Sequence, residues 1–160
     1  PTRRSSDLLG QESFAGFTLD RLFPEALQQL RDHKAAGHRV VLLSGALDFL
    51  LEPMKDLADD VLCSTLAQEN GAYTGELTGA PVAGEARARM LASFARRRGL
   101  DLSRSYAYAD SISDLPMLEA VGNPVAVNPD RRLGTAAKAR GWKVEHWDKN
   151  GSADGVAKKI

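Results

Sequence analysis

Three short stretches hold the polar groups best suited to chemistry, and each follows an apolar segment or opens a helical one. Ser44-Gly45 comes directly after Val40-Val41-Leu42-Leu43. A serine hydroxyl and neighbouring backbone N–H groups, with glycine permitting close approach, can hold a phosphate. A plain serine N-cap explains the same residues. Asp110 and Asp114 flank Ser111-Ile112-Ser113 after Tyr106-Ala107-Tyr108-Ala109. Two carboxylates so spaced across a strand-to-helix turn can converge on one hard cation, and Mg²⁺ is commonly held by one or two carboxylates plus phosphate oxygens and water. Helix capping is the alternative use of such acids. Arg87, in Gly84-Glu85-Ala86-Arg87, would face a phosphate from the first turn of a helix, or merely extend the basic face of Arg89, Arg96, Arg97 and Arg98.

The elements that must position these groups are legible in the hydrophobic spacing. Helices are expected over 23–36, 47–58 (kinked at Pro53), 84–98, 114–121 and 130–140, with Gly37, Gly99 and Gly141 as stops. Strands are expected over 39–43, 61–64, 105–109, 124–127 and 143–146. Asn70-Gly71, between 66–69 and 72–77, is the signature of a type I′ hairpin, predicted as a small flap outside the main sheet. Strands alternating with helices through short loops predict an α/β three-layer sandwich with a mostly parallel, Rossmann-like sheet. In such sheets, ligands bind at the carboxyl ends of the strands. Ser44, Arg87 and Asp110 should therefore approach one another at that edge.

Leu42-Leu43-Ser44-Gly45, Gly84-Glu85-Ala86-Arg87 and Tyr108-Ala109-Asp110-Ser111-Ile112-Ser113-Asp114-Leu115-Pro116 resemble, in order, the second, third and fourth motifs of the haloacid dehalogenase superfamily. The resemblance is to its phosphoserine-phosphatase-like branch and runs over 22–147, including Val125-Ala126-Val127-Asn128-Pro129. It implies Mg²⁺-dependent hydrolysis of a small phosphorylated metabolite, a phosphomonoester, through an aspartyl-phosphate. It also implies that Ser44, Gly45 and Arg87 bind phosphate, that Asp110 is a Mg²⁺ ligand, and that Asp114 supports it at the metal.

The sequence departs from that family in two places. Arg87 stands where the third motif has lysine, and no lysine lies between Lys55 and Lys138. A planar guanidinium is not equivalent to a compact ammonium. The first motif, which supplies the attacking aspartate, has no counterpart: Asp20 is followed two residues later by Leu22. The chain is thus expected to be a fragment that lacks the nucleophile, the strand bearing it and most of the cap, and to be inactive alone. That strand would lie between 40–43 and 105–109, so its loss should leave a gap or force those two together. A non-catalytic α/β binding module on the same scaffold is the competing reading.

Length and composition set the outer limits. The 160 residues suit one domain, 43% apolar and 26% charged residues suit a globular chain, and 21 basic residues cancel 21 acidic ones. No global field draws the chain to nucleic acid or to an anionic membrane. The single cysteine, Cys63, cannot form an internal disulfide, in keeping with a cytoplasmic location. It reads as a buried small hydrophobe, and His33, His38 and His146 show no metal-ligand spacing. Residues 1–8 resemble a translated adapter oligonucleotide and are expected to be an artefact. The domain is then 9–147, and 148–160 reads as a tail or linker leading to a further domain.

Overall fold

A computed structural model describes residues 22–148 of the chain. The expectations for 1–8, for Asp20 and for nearly all of the tail lie outside the described residues.

Helix α1 (Pro24–Ala35) starts on a proline, whose fixed φ and missing N–H suit a first turn. Strand β1 (Val41–Leu47) follows, then a 3₁₀ segment (Asp48–Leu57) and strand β2 (Asp60–Ser64). The hairpin of β3 (Leu66–Glu69) and β4 (Ala72–Leu77) forms its own two-stranded sheet, as expected of a flap. Asn70 and Gly71 both have positive φ, 51° and 80°, as a type I′ turn requires. Helix α2 (Gly84–Arg98) ends at Gly99 in the left-handed conformation. After it come β5 (Tyr106–Ala109), α3 (Leu115–Glu119), β6 (Asn123–Val127), α4 (Arg131–Arg140) and β7 (Lys143–Glu145).

All main-sheet pairings are parallel: β1 with β2, β5 with β6, and β6 with β7. Among the described residues they form two patches rather than one sheet, with no pairing between β1 and β5. Of the two expected outcomes between these strands, the described residues show the gap. A cavity of about 510 Å³ fills it, bordered by Val41–Ser44 on one side and Ser105–Asp110 on the other.

The core lies on one face of the three-stranded patch. Strand alternation turns Ala107 and Ala109 toward α2, α3 and α4, where Leu118, Ala126, Leu133 and Ala137 are fully buried. Each buried leucine contributes roughly 1.5–3 kcal/mol. Tyr106 and Tyr108 point to the opposite face, toward α1, where Tyr108 meets His33 and Gln29.

Two expectations are corrected. Ser44-Gly45 is not a strand-to-helix turn, because β1 continues to Leu47. The ladder runs Val41↔Asp60, Leu42↔Val61, Leu43↔Leu62 and then jumps to Leu47↔Ser64, so residues 44–46 bow out as a bulge. The segment expected as an α-helix over 47–58 is 3₁₀ throughout, containing Pro53, which has no N–H to give an α-helical bond.

Candidate active site

The bulge is what presents Ser44. Its hydroxyl oxygen accepts the Ala46 N–H at 3.1 Å, curling the backbone away from β2. Gly45 allows a close approach: a Cβ there would lie 3.0 Å from the Val82 carbonyl oxygen and 3.7 Å from Arg87 Nη2. Val82, only 1% exposed, ties three parts of the site together. Its N–H donates to the buried Ser64 hydroxyl at 3.4 Å, and its carbonyl accepts from Arg87 Nη2 at 3.2 Å.

Arg87 and Asp114 form an ion pair, Nη1 to Oδ1, with side-chain exposures of 17% and 8%. Burial pushes the Asp114 carboxyl above its ordinary value, Arg87 opposes that shift, and the nearby charge of Asp110 adds to it. Arg87 Nε is buried and has no hydrogen-bond partner among the described residues. The guanidinium therefore holds Asp114 and the Val82 carbonyl through its two Nη atoms, and its Nε–H is left unused.

Asp110 directly follows β5 at the carboxyl edge of the sheet and is exposed. No hydrogen bond is made by its carboxylate among the described residues, whereas its carbonyl accepts the Asp130 N–H at 2.8 Å. Asp130 clamps the whole loop. One of its carboxylate oxygens accepts from Ile112 N–H and the other from Leu133 N–H, both at 2.8 Å. These backbone bonds hold its carboxyl below the usual range. Ser111 accepts from Ser113 N–H, completing the turn.

Ser44, Arg87, Asp110 and Asp114 thus line one cavity, between the free edges of β1 and β5. Gly45 abuts it through Arg87. Asp110 suits Mg²⁺ as an unencumbered hard-oxygen ligand, while Asp114 has one oxygen taken by Arg87. No cluster of three or more His, Cys, Asp or Glu able to hold a metal occurs among the described residues, so any further oxygens must come from ligand, water or additional chain.

Sequence reasoning did not single out Ser64, Val82 or Asp130 for the site. Asp130 carried a signal, an acid after Asn-Pro at the start of a helix, but it was read only as the first residue of that helix. Ser64 and Val82 carried none, since their role is to meet across the fold. Two histidines expected to be scattered are also in contact: His33 Nδ1 lies 2.9 Å from His38 Nδ1. Cys63 is half-buried and burial pushes its thiol up, so it is no activated nucleophile. No described helix is long and apolar enough to cross a membrane.

The chain is similar to known proteins over most of its length. It is 39% identical over 125 residues to a probable phosphatase of Mycobacterium tuberculosis, covering 77% of this chain and 43% of that protein. It is 34% identical over 138 residues to a phosphoserine phosphatase of the same species, covering 85% of this chain and 45% of that one. The chain therefore spans less than half the length of these relatives. A crystal structure of a protein of unknown function from Bordetella pertussis Tohama I superposes with a TM-score of 0.84 at 28% identity, covering 93% of this chain and 68% of that one. The family description "haloacid dehalogenase-like hydrolase" matches residues 8–119, more than half of the chain. The chain belongs to the haloacid dehalogenase-like hydrolase family.

Proposed function

We propose that the protein containing this chain is a Mg²⁺-dependent phosphatase that hydrolyses a small phosphomonoester through an aspartyl-phosphate. The observation that carries this reading is the convergence of Ser44, Arg87, Asp110 and Asp114 on one cavity between two unpaired strand edges. The names of the two mycobacterial relatives support it.

Among the described residues, the cavity's acidic residues are Asp110 and Asp114. Asp110 holds the cation and Asp114 is engaged by Arg87, so the attacking carboxylate comes from a strand seated between β1 and β5, hydrogen-bonded to both. That carboxylate attacks phosphorus, the P–O bond to the organic group breaks as the departing oxygen takes up a proton and leaves as the alcohol, and water then cleaves the aspartyl-phosphate to inorganic phosphate and the free carboxylate. The Ser44 hydroxyl donates a hydrogen bond to a phosphoryl oxygen, with the bulged backbone of 44–46 beside it. Arg87 holds Asp114 in place and keeps Nε–H for an acceptor. Asp110, with Asp114 alongside, would hold Mg²⁺, which when bound would offset the repulsion between a dianionic phosphoryl group and an attacking carboxylate. By this reading the 160-residue chain alone is inactive.

The test compares phosphomonoester hydrolysis with Mg²⁺ by this chain and by the longer protein that contains it. Turnover is expected only from the longer protein, and Asp110→Asn should lower it by at least 10²-fold. Turnover by the 160 residues alone, lost on Asp110→Asn, would overturn the assignment of the nucleophile. An inactive longer protein that still binds phosphate would favour the binding-module reading.

A further inference from the structure

A second cavity, of about 260 Å³, opens beside Asp110 at the same edge of the sheet, and its walls are of a different kind. Phe23, Tyr108 and Trp147 line it, with Asp110 and Asn128 at the sheet edge. Phe23 meets the Trp147 ring edge-on at a centroid distance of 6.1 Å, and Tyr108 lies tilted by 35° at the same distance.

Trp147 is held at three points. Its indole N–H donates to Glu145 Oε2 at 2.7 Å. Its backbone N–H donates to Asn128 Oδ1 at 2.9 Å, and its carbonyl accepts from Asn128 Nδ2 at 3.0 Å. Asn128 makes this clamp from the left-handed region, φ 42°, which asparagine enters more readily than most residues but still at a cost. Such conformations persist where surrounding structure determines them, and they concentrate at functional sites. Rigid aromatic walls of this kind suit a flat ring.

We propose that this cavity is the subsite for the organic half of the phosphomonoester, and that it accepts a planar ring. The proposal rests on the phosphatase reading, because Asp110 borders both cavities. Phe23 and Trp147 are then specificity-determining residues. Asn128 is a positioning residue that acts through Trp147.

The test titrates 4-(hydroxymethyl)imidazole into the ¹⁵N-labelled 160-residue chain, with ringless ethanolamine as control, and follows the two tryptophan indole resonances. The imidazole should shift the Trp147 indole and the Asn128 side-chain amide saturably, and ethanolamine should shift neither. Asn128→Gly keeps the left-handed backbone and removes the clamp, so it should weaken binding at least tenfold with unchanged circular dichroism. Asn128→Asp, which retains the acceptor for the Trp147 N–H, should recover part of that loss. Phe23→Leu should weaken binding as well. An equal response to ethanolamine, a shift of the Trp142 indole alone, or no saturable shift overturns the proposal. Inorganic phosphate with Mg²⁺, titrated into the same sample and followed at the amides of 44–46, scores the phosphate site separately. Loss of that response alone counts against the phosphatase reading, and loss of the imidazole response alone counts against the ring subsite.

Discussion

The Arg87 guanidinium lies on the Asp114 carboxylate, joining the first turn of α2 to the start of α3 beneath the cavity between β1 and β5. The pair is largely buried, and its second donor fixes the Val82 carbonyl. Arg87→Met would leave Asp114 buried without its counter-charge, a loss of about 3–5 kcal/mol for such pairs. Arg87→Lys should fall between that variant and the parent, because one ammonium cannot reproduce the fork that reaches both acceptors. Burial already raises the Asp114 carboxyl, and without Arg87 it rises further. A raised carboxyl favours the protonated fold, so stability is lost as pH climbs past the ordinary aspartate value. Urea unfolding should therefore show a larger Arg87→Met deficit at pH 7 than at pH 4. Equal deficits at both values would show that the two groups are not coupled.

Glycine is required at two positions, for steric reasons. A Cβ at Gly122 would sit 1.7 Å from the Ser103 carbonyl oxygen, while the Gly122 N–H donates to the Leu102 carbonyl at 2.9 Å. Gly122→Ala must push β6 away from the turn before β5, at a cost of about 3 kcal/mol or more. Gly45→Ala meets the Val82 carbonyl at 3.0 Å and should cost less in stability while weakening inorganic phosphate binding. Gly79, with nothing within 4 Å of its Cβ position, is the control, and Gly79→Ala should stay within about 0.5 kcal/mol of the parent. Thermal unfolding of the three variants measures the order.

His33 gives the fold a dependence on pH. Burial lowers its tendency to protonate and the facing His38 adds to that, while Asp32 opposes it. Its Nε2 lies 2.9 Å from the Tyr108 hydroxyl, and its ring packs on Tyr106 and Tyr108. With the folded-state value below the unfolded value near 6.5, the unfolded chain binds more protons. The contribution is complete above about pH 6.5 and is lost as pH falls through the lowered folded value. His33→Gln should flatten stability between pH 7 and pH 5, measured by urea unfolding. A slope unchanged by the substitution would assign it to another group.

Asp130 serves the site and helix α4 at once, accepting from Ile112 and Leu133 N–H groups. Asp130→Ala should cost more than the loss of an ordinary helix cap, because it also releases the loop carrying Asp110. Its lowered carboxyl contributes stability that is present above the ordinary aspartate value and lost on acidification below it. Mg²⁺ titrations followed at the Asp110 amide should weaken in the same variant. Unchanged Mg²⁺ binding would limit Asp130 to its capping role.

The elements were legible because their signals are local. Helix α2 and the hairpin strands have the expected bounds, since glycine at a helix end and Asn-Gly at a turn act through the backbone of neighbouring residues. The alternation of strands with helices likewise pointed to the parallel α/β class, and the ordered stretches around Ser44, Arg87 and Asp110 carried a family resemblance that the match over residues 8–119 bears out. The path of the chain after Leu43 was misread, because a β-bulge depends on what the partner strand offers. The jump from Leu43↔Leu62 to Leu47↔Ser64 is a property of two strands, not of either sequence.

What the sequence by itself determined, then, is the types of groups present and their rank along strands and helices. Only the tertiary structure decided that Arg87 is committed to Asp114 and the Val82 carbonyl, that Asp130 clamps the Asp110 loop, and that β1 and β5 stand apart around a cavity. The physical reason is range. Propensity, capping and turn chemistry act between neighbours in the chain, whereas ion pairing, burial and strand pairing join residues tens of positions apart, whose distances are fixed only once the whole chain has packed.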